Sequence, residues 1–192
     1  MDDLNYLAGV DEVGRGALFG IVVAAAVILP PGVEPNLSRA GVRDSKTLSA
    51  KQRQQLDQVI RRIAIDCQIG IATVAEINQL NILEASLLAM ERAIAQLNPL
   101  PDLCLIDGNQ PLRFRELQPL PQQTIIGGDQ QQVAIAAASI IAKVWRDRQM
   151  QILDHQYPGY GLAQNKGYGT LGHRQAIQTL GYSDQHRYFR VN

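Results

Sequence analysis

LAGVDEVGRGALFGIVVAAAVIL, residues 7–29, is an apolar run interrupted by a charged glycine loop. Residues 6–13 and 21–29 are rich in Val, Ile and Ala without helical periodicity, which predicts two neighbouring core strands joined as a hairpin. Asp11 and Glu12 stand at the break. Burying an unpaired charge costs about 2 kcal/mol or more, and the sequence offers these two acids no fixed basic partner. It does offer isolated carboxylates downstream, and clustered like charges become tolerable when divalent cations sit among them. A metal site is the sharper reading of the pair, and a solvated turn, which Gly and Asp also mark, is the plainer one. Successive strand side chains point to opposite faces, so both acids can serve one site only near a strand end where the pleat gives way. Phosphate loops are excluded by detail: Gly14, Gly16 and Gly20 run one residue too long for G-x-G-x-x-G, and no Gly precedes Lys46.

Outward from this hairpin, residues 32–48 lack periodicity and predict loop. Ser49 with Gln52 forms a capping box, and Leu56, Val59, Ile60 and Ile63 then mark one buried helical stripe. Residues 67–74 predict a strand, and a second helix starts near Asn81 and runs to about Leu97, with Leu87, Met90 and Ile94 inward. Leu103-Cys104-Leu105-Ile106 is a continuous apolar run ending in Asp107-Gly108-Asn109, as a buried parallel strand does on leaving its sheet. Ligand sites gather at such carboxyl ends. A further strand at 124–126 leads through Gly127-Gly128-Asp129 into a long Ala- and Ile-rich helix, Val133 to about His155. Asp129 just before that helix reads equally as a dipole-stabilised cap and as a metal ligand. A last helix covers about 172–180. This order indicates an α/β domain with a mixed sheet and a small C-terminal helical extension.

The 192 residues are 46% hydrophobic, enough for one full core. Acids and bases number 18 each, so only their distribution can signal a nucleic-acid partner. From Gln130 onward, Lys143, Arg146, Arg148, Lys166, Arg174, Arg187 and Arg190 face only Asp147, Asp154 and Asp184. Cys67 and Cys104 lack C-x-x-C spacing and predict buried thiols of a reducing compartment. The apolar run 17–29 is short of the ~20 residues of a membrane helix, and the acids ahead of it do not suit a signal peptide. A cytoplasmic enzyme or binding module, without membrane contact, is expected.

Five ordered motifs then converge: VDEVGRG, RDSKTLS, LIDGN, GGD followed by IAAASIIAKVWRDR, and NKGYGT with His173 behind it. From Ala8 to about Phe189 the chain resembles bacterial ribonuclease HII. The resemblance implies a ribonuclease H-like mixed five-stranded sheet flanked by helices, in a single domain 1–192 with a catalytic core to about 157 and an extension, 158–192, that helps bind substrate. It implies cleavage of the RNA strand of RNA/DNA hybrids and incision 5′ of single ribonucleotides in duplex DNA, leaving 3′-OH and 5′-phosphate ends, with two Mg²⁺ or Mn²⁺ ions per site. The four metal-binding acids fall on Asp11, Glu12, Asp107 and Asp129. Gly14, Arg15 and Gly16 match the reader of the ribose 2′-OH and adjacent phosphate, and Tyr168 the junction-sensing tyrosine. Lys46, Ser139 and Lys143 match positions expected near the substrate backbone, and Lys166, as part of the basic segment after Gln130, is expected to bind substrate by neutralising phosphate. Ala17 and Ile21 stand where the family usually has Pro, and Thr47 replaces a common second Lys.

A monomer is expected. The tail 185–189 looks like a sliding-clamp peptide, although packing of Tyr188 and Phe189 back on the domain is the preferred reading. Two rivals remain: another two-metal nuclease of this fold, such as a Holliday-junction resolvase or transposase, and a non-catalytic hybrid-binding module. The GRG and KGYGT contexts speak against the first, and the full set of carboxylates against the second. His155, His173 and His186 are not expected to act as a general acid/base pair.

Overall fold

The structure, a computed structural model, describes residues 6–43, 45–114 and 118–188. The expected hairpin forms: β1 (Leu7–Val13) pairs antiparallel with β2 (Val22–Ile28), from Ala8 opposite Ile28 to Val13 opposite Val23. Every residue of β2 is buried, which explains its unbroken apolar sequence: both faces are covered. Strand β3 (Asp66–Ala72) joins β2 antiparallel, while β4 (Leu103–Asp107) and β5 (Gln122–Ile125) continue parallel on the other side of β1. The five-stranded order is β3-β2-β1-β4-β5. This is the mixed sheet expected from the sequence.

Helix α4 (Ile82–Ala95) covers one face, where Ala8, Val10, Ala24, Ala26 and Ile106 meet Leu87, Met90 and Ile94. On the other face, Val23, Ala25 and Val27 pack against α6 (Val133–Gln156) and against Leu56 and Ile60 of α2 (Ala50–Ile63). A Cβ at Gly9 would lie 2.1 Å from the Ala134 carbonyl carbon, so the glycine sets how closely α6 approaches β1. Gly9→Ala is expected to destabilise the fold by about 3 kcal/mol through overpacking, read as a lower urea midpoint at unchanged slope.

Several local expectations need correction. Residues 32–48 contain α1 (Glu34–Ala40), closed by Gly41 at φ 99°, and a 3-10 turn, Ser45–Thr47. With Leu37 as its single buried residue, α1 is too short to show a period. Val59 is 37% exposed, and Asp57 takes the buried place beside Leu56 and Ile60, paired with Arg61 at 3.0 Å. The stripe turns toward the 57/60 side, which leaves residue 59 on the flank. Strand β3 ends at Ala72 because Thr73 and Glu76 form a capping box for an unforeseen helix, α3 (Val74–Leu80). Asp129 lies inside a short helix, α5 (Gly128–Gln131), rather than ahead of one. The C-terminal part comprises α7 (Leu162–Asn165) and α8 (Leu171–Leu180), joined to α6 by a cluster of Phe19, Met150, Tyr160 and Leu162. Phe189 and Arg190 lie outside the described residues, as does Asp44. Tyr188 does not pack back: it is 70% exposed, and the adjoining His186 and Arg187 are buried instead.

Cys104 is buried and Cys67 half-buried. Burial pushes their thiols up to about 12 and about 11, so both behave as inert groups. No helix among the described residues is long and apolar enough to cross a membrane.

Candidate active site

The parallel ladder between β1 and β4 stops at Val10 opposite Ile106, while the antiparallel ladder with β2 continues to Val13. Asp11 and Glu12 therefore occupy regular strand with an open edge on the β4 side. The pleat does not give way. Glu12, on the same strand face as Val10, lies on the α4 side near Ser86 and Met90, and Asp11 lies on the α6 side, facing Ser139. Their carboxylates still converge past the end of β4, and oxygens of Asp11, Glu12 and Asp107 all lie within 4.8 Å of one another.

Burial, then the charges of Glu12 and Asp107, hold the Asp11 carboxyl well above its ordinary range; bonds from Ser139 and the Glu12 N–H, the latter 2.7 Å long, oppose them. Burial also raises Glu12, against the pull of Arg15, whose guanidinium reaches its carboxylate at 3.3 Å. This ion pair supplies a partner that the sequence did not disclose, but Arg15 is half exposed and offsets only part of the charge. Asp107 is raised chiefly by burial, opposed by the Gly128 N–H at 2.7 Å and that of Asp129. Asp129, 3% exposed, stands beside Asp107 and receives the Lys46 ammonium at 3.3 Å. Three hard oxygen donors crowded together, with raised proton affinities and one weak ion pair among them, form a donor set that suits Mg²⁺ or Mn²⁺.

A cleft of about 270 Å³ opens over this cluster, lined by Asp11, Glu12 and Asp107, the Gly14–Gly16 loop, Ser45 and Lys46, Ser139 and Lys143 of α6, and Tyr168. Ten of the twelve residues singled out in the sequence therefore share one cavity. Asp129 lies just behind it, held to Lys46. Lys166 lies elsewhere, in a depression with Arg53, Asp147 and Arg148, its ammonium turned to the Ala163 carbonyl.

The two glycines flanking Arg15 have different reasons. Gly14 has φ 95°, and a Cβ there would strike Arg146 Nε at 2.3 Å, so it is a backbone requirement. At Gly16 a Cβ would meet only Tyr168 Cε1 at 4.0 Å, so its bareness keeps the cleft open. Tyr168 is delivered by an isolated bridge to Ala17, and its ring lies 5.8 Å from Lys143 Nζ and 5.5 Å from Arg146 Cζ.

The basic C-terminal segment is less available than its composition suggested. Arg146 and Arg187 are buried, and Lys143 is tied to Asp147 at 2.7 Å. The exposed cations lining the cleft are Lys46 and Arg15, at 79% and 49%. Ser45 was not singled out from the sequence, yet its hydroxyl meets that of Ser139 at 2.9 Å. Asp147, which also draws Arg53 to 3.8 Å, was legible only as the i+4 partner of Lys143. His173 and His186 form a buried pair under the C-terminal part and do not line the cleft.

A family model described as Ribonuclease HII matches residues 8–191. Ribonuclease HII of Trichodesmium erythraeum is 58% identical over 180 residues, 94% of this chain and 84% of its own length. That of Acaryochloris marina is 56% identical over 188 residues, 97% and 93% of the two chains. Among solved structures, the PCNA:RNase HII complex from Archaeoglobus fulgidus contains a chain similar at TM-score 0.80 and 26% identity, covering 97% of this chain and 95% of that one. Ribonuclease H2 from Pyrococcus horikoshii is similar at TM-score 0.78 and 28% identity, covering 95% and 92%.

Proposed function

Because the chain belongs to the ribonuclease HII family, and is thus a divalent-metal-dependent endonuclease of the ribonuclease H type, we propose that it hydrolyses the RNA strand of RNA/DNA hybrids and incises 5′ of single ribonucleotides in duplex DNA, leaving 3′-OH and 5′-phosphate ends. The observation that carries this reading is the meeting of three carboxylates, the Gly14–Gly16 loop and Tyr168 in one cleft.

Asp11, Glu12 and Asp107 would hold one cation, and Asp11 together with Asp129 a second. When bound, two such ions supply an activated water, charge stabilisation at phosphorus and help for the departing alkoxide. The remaining work falls to this chain. Arg15 and the bare backbone at Gly16 place the ribose, whose 2′-OH is recognised and does not attack. The Tyr168 ring lies against the following sugar. Lys46 can leave Asp129 for a phosphate, since its side chain is 79% exposed, and Lys143, held by Asp147, presents a second charge. In this reading the catalytic core extends to about residue 157, and 158–192 contributes Tyr168. A clamp contact of the kind implied by the PCNA:RNase HII complex from Archaeoglobus fulgidus would fall here on the exposed Tyr188.

Affinity for the duplex is expected to fall with salt, but through few contacts, because two of the six described C-terminal bases are buried and Lys143 is held by Asp147. Lys46→Ala should reduce the slope of log K against log salt by about 1, whereas Lys166→Ala should leave it unchanged; fluorescence anisotropy across a salt series reads both. The function itself is tested on a DNA duplex holding one ribonucleotide. A cut beside it that EDTA abolishes is expected. Binding without cutting would favour a non-catalytic module, and cutting indifferent to the ribonucleotide a different nuclease.

A further inference from the structure

Behind the Gly14–Gly16 loop lie two buried guanidinium groups whose partners are backbone carbonyls. Arg187, 3% exposed, donates to the carbonyl oxygens of Gly14 at 2.7 Å, Arg15 at 3.1 Å, Ala17 at 3.0 Å, Gly20 at 2.6 Å and Ile21 at 2.9 Å. Arg146 adds bonds to Phe19, Ile21 and Lys166. A buried cation without a carboxylate is costly unless all its N–H groups find acceptors. Arg187 spends its donors on a single loop of eight residues, 14–21. With its carbonyls gathered toward Arg187, the turn closed by the Ala17 N–H on Gly14 leaves the N–H groups of Arg15 and Gly16 with no acceptor among the described residues. Both residues are exposed and line the cleft. Backbone N–H groups left without a protein acceptor beside the cleft are donors that a sugar hydroxyl oxygen can accept from.

The segment that carries Arg187 also fixes Tyr168. The Ser183 N–H donates to His186 Nδ1 at 2.9 Å, His186 Nε2 meets His173 Nε2 at 3.4 Å, and His173 Nδ1 meets the Tyr168 carbonyl at 3.0 Å. Since the carbonyl can only accept, the partners assign Nδ1–H to His173 and Nε2–H to His186. Loop and tyrosine thus share one support.

We propose that Arg187 is a positioning residue for sugar discrimination: it fixes which loop N–H groups face the cleft, and so sets the preference for a ribonucleotide over a deoxyribonucleotide. This rests on reading the loop as the ribose reader. The test is equilibrium binding of the wild type, Arg187→Lys and Ser183→Ala to a duplex with one ribonucleotide and to its all-DNA twin. Ca²⁺ fills the oxygen sites, and circular dichroism and melting select the folded variants. In Arg187→Lys the ribonucleotide preference is expected to fall about tenfold while all-DNA affinity stays within about twofold. Ser183→Ala, which keeps the backbone N–H but removes the Ser183 hydroxyl that also meets His186 Nδ1 at 3.0 Å, should lose about threefold. A merely structural role would weaken both duplexes alike, and that result, or an unchanged preference in the variants that fold, overturns the proposal. Wild-type indifference to the ribonucleotide would instead overturn the reading of the loop itself, and the inference with it.

Discussion

Asp11→Asn and Asp107→Asn are each expected to lower turnover in Mg²⁺ by about 10³-fold or more while leaving the metal-free fold as stable as before, or more so. The two effects have one cause. Asp11 is 5% exposed and faces Glu12 and Asp107, so its charge opposes folding until a cation joins it. The sign follows from the raised proton affinities. A group whose folded pKa exceeds its unfolded value stabilises fully below the unfolded value and loses that contribution as pH rises through the folded one. For this cluster the loss begins above the ordinary values of 3.8 for Asp and 4.5 for Glu. Metal-free protein should therefore lose stability from acid toward neutral pH on this account, Asp11→Asn should flatten the loss, and Mg²⁺ or Mn²⁺ should raise the melting temperature of the parent most at the neutral end. Near-parental turnover in either variant would mean that the carboxylates do not hold the metal.

Gly16→Ala and Tyr168→Ala are each expected to cut cleavage beside a single ribonucleotide by about 100-fold without weakening metal binding by titration calorimetry, and Tyr168→Phe should keep most activity. The Gly16 substitution is clean. Its φ is not in the left-handed region and the added methyl meets only Tyr168 at 4.0 Å, so lost activity reports the space taken from the sugar and not a broken turn. The same change at Gly14 would be uninformative, because φ 95° and Arg146 forbid it structurally. Undiminished cleavage in both alanine variants would remove the loop and the ring from substrate recognition.

Strand positions and the carboxyl-end placement of Asp107 were legible because apolar runs and glycine breaks are local signals. The placement of Asp129 within α5, with Lys46 against it, was not: the contact spans 83 positions. Arg187 shows the limit most plainly. Counted from composition it was a base for phosphate, yet it lies buried against carbonyls 166 to 173 positions away, and one arginine in a sequence looks like another. The convergence of Asp11 and Glu12 was expected from a failing pleat. It comes instead from a neighbouring strand that ends early, which depends on register and not on the residues themselves.

If the carboxylate cluster drives hydrolysis with the 2′-OH read and not reacting, the chemical ends of the cut report it. Cleavage of a duplex with one embedded ribonucleotide in Mg²⁺, followed by mass analysis of both fragments, should give a 3′-OH on the upstream DNA and a 5′-phosphate on the fragment that begins with the ribonucleotide. A 2′,3′-cyclic phosphate would contradict it, because that product requires the 2′-OH to have attacked.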